Sequence, residues 1–226
     1  MAIGRAVASS AQRRAAYLGI LRRRVRPGSG STVAWLRRRG SYPMPDLIAL
    51  FAGVRFVVVG GTATSLYMPT RTTEDVDVLI SAADTAAAED ALRRAGATLQ
   101  GRLSIGGTSW RLTSGEILDV LTSSAPWIDD ALHHPNRDAA GLPIIALAYL
   151  VLLKLEASRG VDIGDLTRML GGATEPALAP VREAVRTYLP DAVDDLESLI
   201  QLGRLEYEEA AGSTDDSPNS GNSPAG

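Results

Sequence analysis

The stretch Val54-Arg55-Phe56-Val57-Val58-Val59-Gly60-Gly61, followed after thirteen residues by Asp75-Val76-Asp77-Val78, governs how this chain folds. The first run is short, mostly apolar and closed by two glycines, the pattern of a buried strand that enters a turn. Thr62 to Tyr67 then reads as a short helix and Val76 to Ile80 as a second strand. A helix is expected over 84–95, opened by Asp84 and closed by Gly96. Strands are expected around 97–103, 108–113 and 116–122, with turns at Gly106-Gly107 and Ser114-Gly115. From 144 onward the apolar spacing is helical, over 146–158, 163–170, 177–188 and 191–209. The expected class is α/β or α+β: a small mixed-sheet domain followed by a helical C-terminal half.

A chain of 226 residues suits one such domain with loose ends. The longest apolar run, Ile144 to Leu153, is ten residues, half of the roughly 20 that a bilayer needs, so no membrane partner is expected. Cys is absent, which excludes disulfides, thiolate metal sites and a cysteine nucleophile, and is compatible with the expected cytoplasmic location. The two His are adjacent, His133 and His134, and read as an exposed turn before Pro135. Lys154 is the single Lys among 23 basic residues and follows Leu153, so no P-loop is present.

Charge divides the chain sharply. Residues 1–45 hold ten Arg and no acid, whereas the rest holds 13 basic and 26 acidic residues. An Arg-rich flexible arm is therefore expected over 1–45, an α/β core over 46–142, a helical part over 143–210 and a disordered tail over 211–226. The arm imitates a transit peptide. It also reads as upstream sequence before a natural start at Met44, with an RNA-contacting arm as the weaker alternative. With no clear amphipathic face it is expected to be dispensable for folding.

Asp75 and Asp77 lie two apart on a strand, so their carboxylates project from one face. Two adjacent acids repel unless a cation lies between them, and a hard divalent ion such as Mg²⁺ prefers oxygen ligands. Asp119, on the strand expected at 116–122, is a third candidate ligand. Three acids around one or two Mg²⁺ ions suit phosphoryl or nucleotidyl transfer. Gly60 and Gly61, without Cβ atoms, allow backbone N–H groups to approach a phosphate at a helix start. Thr62 and Ser65 offer hydroxyls there, and Arg71 offers a positive charge. Each piece alone also has a plain structural reading, as a turn, a solvated strand face or a surface charge. Their order and spacing together point to a site.

That order resembles the signature of the nucleotidyltransferase superfamily: a hydrophobic residue with Gly-Gly, a spacer here at its upper limit, then Asp-hydrophobic-Asp. The fuller string Val59-Gly60-Gly61-Thr62-Ala63 … Arg71-Thr72-Thr73-Glu74-Asp75-Val76-Asp77 looks like the abortive-infection toxin branch. So does Leu142-Pro143-Ile144-Ile145-Ala146-Leu147 … Lys154 … Arg159 … Asp162 … Asp165. The resemblance covers roughly residues 50–170. It implies a palm-like domain and transfer of a nucleoside monophosphate from an NTP to an acceptor hydroxyl on tRNA, a protein or a small molecule. It also implies a toxin role with an antitoxin partner, and a Lys154 that faces the nucleotide phosphates. The alternatives are a resistance-type adenylyltransferase, or a nucleotide- or partner-binding protein without catalysis. Ala146 stands where such proteins often carry Ser, which removes a capping oxygen.

A lone Lys in a chain that otherwise uses Arg also suits a site requiring a compact charge, against the plain reading of a snorkelling core Lys. Asp162 and Asp165 read as a cap and a first-turn acid of the following helix. Trp110 and Trp127 read as core anchors.

Overall fold

Phe56-Val57-Val58 forms strand β1, with every side chain buried, as the run of β-branched and aromatic residues dictates. It pairs antiparallel with β2, Val76–Ser81, in which Val76, Val78 and Ile80 face one way and Asp77, Leu79 and Ser81 the other. A computed structural model describes residues 9, 11, 12, 14, 45–68, 76–138 and 141–212 of the chain. Between β1 and β2 lies helix α2, Gly60–Tyr67, preceded by a short α1, Leu47–Leu50, whose first turn is capped by the Asp46 carboxylate. After β2 come α3, Thr85–Arg94, the hairpin of β3, Thr98–Arg102, and β4, Thr108–Arg111, then β5, Ile117–Ser123. Helix α4, Ile128–His133, leads to two short strands, β6, Asn136–Arg137, and β7, Pro143–Ile144.

Among the described residues these strands form one seven-stranded sheet in the order β3-β4-β5-β2-β1-β7-β6. β2 with β5 and β1 with β7 are parallel, and the other neighbours are antiparallel. The architecture is a mixed α/β sheet followed by helices, as the sequence predicts. Trp110 and Trp127 are both core residues, 1% exposed.

The helical part comprises α5, Leu147–Ala157, α6, Gly160–Gly171, α7, Glu175–Tyr188, and α8, Val193–Gly212. Helix α5 is apolar nearly all round and central to the core, with Leu150, Val151, Leu152 and Leu155 fully buried. Its Ala146 cap makes no side-chain bond, and its end is set by Ser158 in the left-handed region at φ 48°. Helix α6 starts at Gly160, three residues before the expected start. This moves Asp162 from the expected cap position into the first turn. The expected turn at Gly60-Gly61 also differs: both glycines belong to helix α2. Pro143-Ile144, read as the approach to a helix, instead pairs with Val58 and extends the sheet past residue 142.

Helices α6 and α8 cross at Gly171 and Gly203 with backbone against backbone. A Cβ at Gly203 would lie 2.0 Å from the Thr167 carbonyl oxygen and 2.6 Å from the Gly171 Cα. Neither contact is a flexible side chain end, so neither can yield cheaply. Gly203→Ala is expected to cost about 2 kcal/mol or more in urea denaturation, with the helices forced apart.

Arg14 is fully buried against this helical part. Its Nε donates to Asp195 Oδ2 at 3.0 Å, its Nη2 to Asp191 Oδ2 at 2.8 Å and its Nη1 to the Leu155 carbonyl at 3.1 Å. The first two bonds tie Arg14 to Asp195 in the first turn of α8 and to Asp191 just before it, and the last satisfies a carbonyl near the end of α5. Arg14 therefore contributes a core contact, which truncation would remove. The two carboxylates are 58% and 23% exposed, so breaking the pair should cost less than a fully buried one. Arg14→Ala is expected to lower stability by about 2 kcal/mol, and truncation to residues 44–226 by at least as much, both read by thermal melting.

Candidate active site

Parallel pairing of β2 with β5 sets Asp77 directly opposite Asp119. Residues in register on adjacent strands share a face and stand about 4.8 Å apart, so the two half-buried carboxylates are neighbours. Ser109 of β4 is in register with Asp119 on its other side. The Asp119 Oδ1 atom is buried and has no hydrogen-bond partner among the described residues. A buried carboxylate oxygen is normally satisfied, and one that is not calls for an ion or a donor from outside.

Gly60 lies immediately above Asp77. Its φ is 60°, and a Cβ there would fall 1.8 Å from Asp77 Oδ2. Glycine is required twice over, by the backbone and by the acid. Asp77 also accepts the Val59 N–H at its carbonyl, at 2.9 Å, which locks the end of β1 onto β2 at the site.

Thr62, Ser65 and Gly61 stand on the same helix as Gly60. The Ser65 hydroxyl is exposed and donates to the Thr62 carbonyl at 2.7 Å, while Gly61 is buried in the helix. Asp75 and Arg71 lie outside the described residues. Among the described residues no group of three acids or histidines is poised to hold a metal ion, and Asp77 with Asp119 supplies two. His133 and His134 are exposed at the end of α4.

A cavity of about 350 Å³ extends from Gly60 along Leu79 and Leu121, which are two residues beyond Asp77 and Asp119 on the same face. Its far wall comes from the end of α5 and the start of α6, including Lys154, Glu156 and Arg159. Burial pushes the Glu156 carboxyl up from its ordinary range, and the hydrogen bond from Trp127 Nε1 at 3.3 Å only partly offsets this.

The wall that carries Lys154 and Arg159 is an ion-pair chain. The Lys154 ammonium is 6% exposed and donates to Asp162 Oδ1 at 3.2 Å and to Asp165 Oδ2 at 2.7 Å. Asp162 in turn accepts Arg159 Nε at 2.6 Å and Nη2 at 3.2 Å. Burial is the largest single influence on Asp162 and pushes its pKa up, but Arg159 and Lys154 together outweigh it and hold the carboxyl below the usual range. Arg159 is held above its usual value mainly by its bond to Asp162, and it also feels the charge of Asp77.

Sequence reading placed Gly60, Asp77, Asp119 and Lys154 around this region, and the structure brings them together. The sequence suggests Asp162 as a cap and Asp165 as a first-turn acid, whereas both are buried partners of Lys154. Arg159 and Glu156 received no role of their own. The usable signal was the sole Lys followed by two acids three apart, which on one helix face the same side.

No protein-family model matches the chain, and no curated protein matches it. Among solved structures it is similar to the antibiotic-resistance factor ANT(2'')-Ia in solution, at 16% identity and a TM-score of 0.37, over 73% of this chain and 90% of that one. It is also similar to ANT(2")-Ia in complex with adenylyl-2"-tobramycin, at 17% identity and 0.37, over 71% and 96%. The Thermotoga maritima CCA-adding enzyme complexed with tRNA matches at 18% identity and 0.34, over 79% of this chain and 52% of that one. All three TM-scores lie below 0.5.

Because Asp162 titrates below its ordinary range, its contribution to stability is present above about pH 4 and is lost as pH falls through its lowered value. Wild-type stability should therefore rise with pH through the acid range. Asp162→Asn is expected to show a shallower rise, measured as urea midpoints across a pH series.

Proposed function

We propose that the chain moves a nucleoside monophosphate from an NTP to an acceptor hydroxyl, with Mg²⁺ held by Asp77, Asp119 and Asp75. The observation that carries this reading is the register pair Asp77 and Asp119 beside Gly60, with one buried carboxylate oxygen of Asp119 lacking a partner among the described residues. The donor set fits the ion: hard carboxylate oxygens on one face, next to a glycine that leaves room for a ligand's backbone contact. When bound, Mg²⁺ supplies positive charge against the phosphate oxygens and lowers the pKa of a hydroxyl near it.

The residues then divide the work. Gly60, with Gly61 and Thr62 behind it, starts helix α2 and presents its first N–H groups where a phosphate can approach. Ser65, one turn further on, and Arg71 complete the phosphate-facing set that the sequence pattern implies. The acceptor oxygen attacks the α-phosphorus, the bond to the pyrophosphate oxygen breaks, and Asp119 takes the hydroxyl proton on a carboxylate oxygen. The cavity beyond the acids, floored by Leu79 and Leu121, suits the apolar faces of a nucleoside. The toxin role, an antitoxin partner and a tRNA or protein acceptor rest on the motif resemblance alone. They enter as arms of the test.

Two adjacent carboxylates repel without a cation, so Asp119→Asn is expected to melt at or slightly above wild type in the absence of Mg²⁺. Wild type should gain stability with Mg²⁺ and NTP together, about 2.7 kcal/mol at a hundredfold excess over Kd, and the Asn variant should lose most of that gain. Transfer from labelled NTP to tRNA, protein or aminoglycoside acceptors should fall about a thousandfold or more in Asp77→Asn and Asp119→Asn. A wild-type protein with neither a Mg²⁺-NTP thermal shift nor transfer from any of the four NTPs would refute the reading.

A further inference from the structure

We propose that Arg159, rather than Lys154, is the side chain that meets the phosphate charge of the nucleotide, and that Lys154 is its positioning residue, acting through Asp162. The inference rests on the nucleotidyl-transfer reading of the same cavity and assigns a part of it that the sequence motif assigned otherwise.

Lys154 is poorly placed to serve a ligand. Its ammonium has three donors, and two already serve Asp162 and Asp165, which are 1% and 6% exposed. Swinging it toward a phosphate would strip a cation from two buried carboxylates at once, in a setting where an unpaired charge is costly. The formal charges also matter. Lys154 with Asp162 and Asp165 sums to −1, so this buried group alone repels a phosphate. Arg159 brings the sum to zero and presents its charge on the cavity side.

Arg159 has the opposite character. Its side chain is 56% exposed and lines the same cavity as Gly60. One edge of its guanidinium, Nε and Nη2, is fixed on Asp162, while Nη1 makes no hydrogen bond among the described residues. A guanidinium has five donors in a planar fork, so one edge can hold a carboxylate while the other faces a phosphate. The corner that carries it is stiff. Ser158 is fully buried in the left-handed conformation, with its N–H on the Lys154 carbonyl and its hydroxyl on the Leu155 carbonyl. Lys154 grips Asp162, Asp162 orients Arg159, and Arg159 reaches the ligand.

The test is the affinity ratio for a fluorescent NTP over the matching monophosphate, with Mg²⁺, on the full chain. Arg159→Ala should lower this ratio about tenfold or more. Its melting temperature should fall only modestly, because Asp162 loses Arg159 but keeps Lys154. Arg159→Lys should recover part of the ratio. Lys154→Met should lower the ratio less than Arg159→Ala does, and the double variant should match Arg159→Ala, since Lys154 acts through Arg159. An unchanged ratio in Arg159→Ala overturns the inference. So does a larger, additive loss in Lys154→Met. If Lys154→Met fails to fold, the two Arg159 variants decide. If wild type binds NTP no better than monophosphate, the nucleotidyl-transfer reading itself falls, a result distinct from the preceding ones.

Discussion

Two carboxylates held side by side in a half-buried site are unfavourable in isolation, and the centre of this fold is arranged around that one contact. The parallel pairing of β2 and β5 makes it unavoidable, since a shift by one residue would turn Asp77 away from Asp119 and send Val76 and Val78 out of the core. The register is therefore fixed by burial on the opposite face, where Val78 is fully buried and Val76 nearly so. The hydrophobic side of the sheet holds the acidic side in place. Gly60 belongs to the same constraint, because any larger residue would displace the Asp77 carboxylate.

Across the cavity the chain solves the inverse problem. A lone Lys on an apolar helix is expensive to bury, and two acids from the next helix make that burial possible. Their own charge is then balanced from outside by Arg159. The two walls differ in kind. The acid pair has an oxygen without a partner among the described residues, whereas on the opposite wall Lys154, Asp162, Asp165 and Arg159 are paired with one another. Such an asymmetry suits a ligand that brings both a metal and an anion.

Much of this was legible in the sequence. The Val-rich run before Gly60, the alternation in Val76 to Ser81 and the Glu116 to Leu121 strand carry their burial in their spacing, and the acids at 77 and 119 fall on the correct face. What could not be read was long-range: that residue 162 reaches residue 154 depends on the left-handed turn at Ser158, and a Ser gives no warning of positive φ. The role of Arg14 was hidden for a related reason. Its partners lie 177 and 181 residues away, and an Arg in a basic run looks the same whether solvated or buried. Short strands such as Pro143–Ile144 carry too few residues for any period to show.

The glycine crossing of α6 and α8 has a dynamic consequence. Two helices whose backbones touch have no layer of side chains to slide on, so they move as one body. Asp162 and Asp165 ride on that body, and Lys154 does not. Any opening of the cavity must therefore carry α6 and α8 together against α5 rather than loosen those two helices from each other. Amide exchange should then slow together along α6 and the facing part of α8.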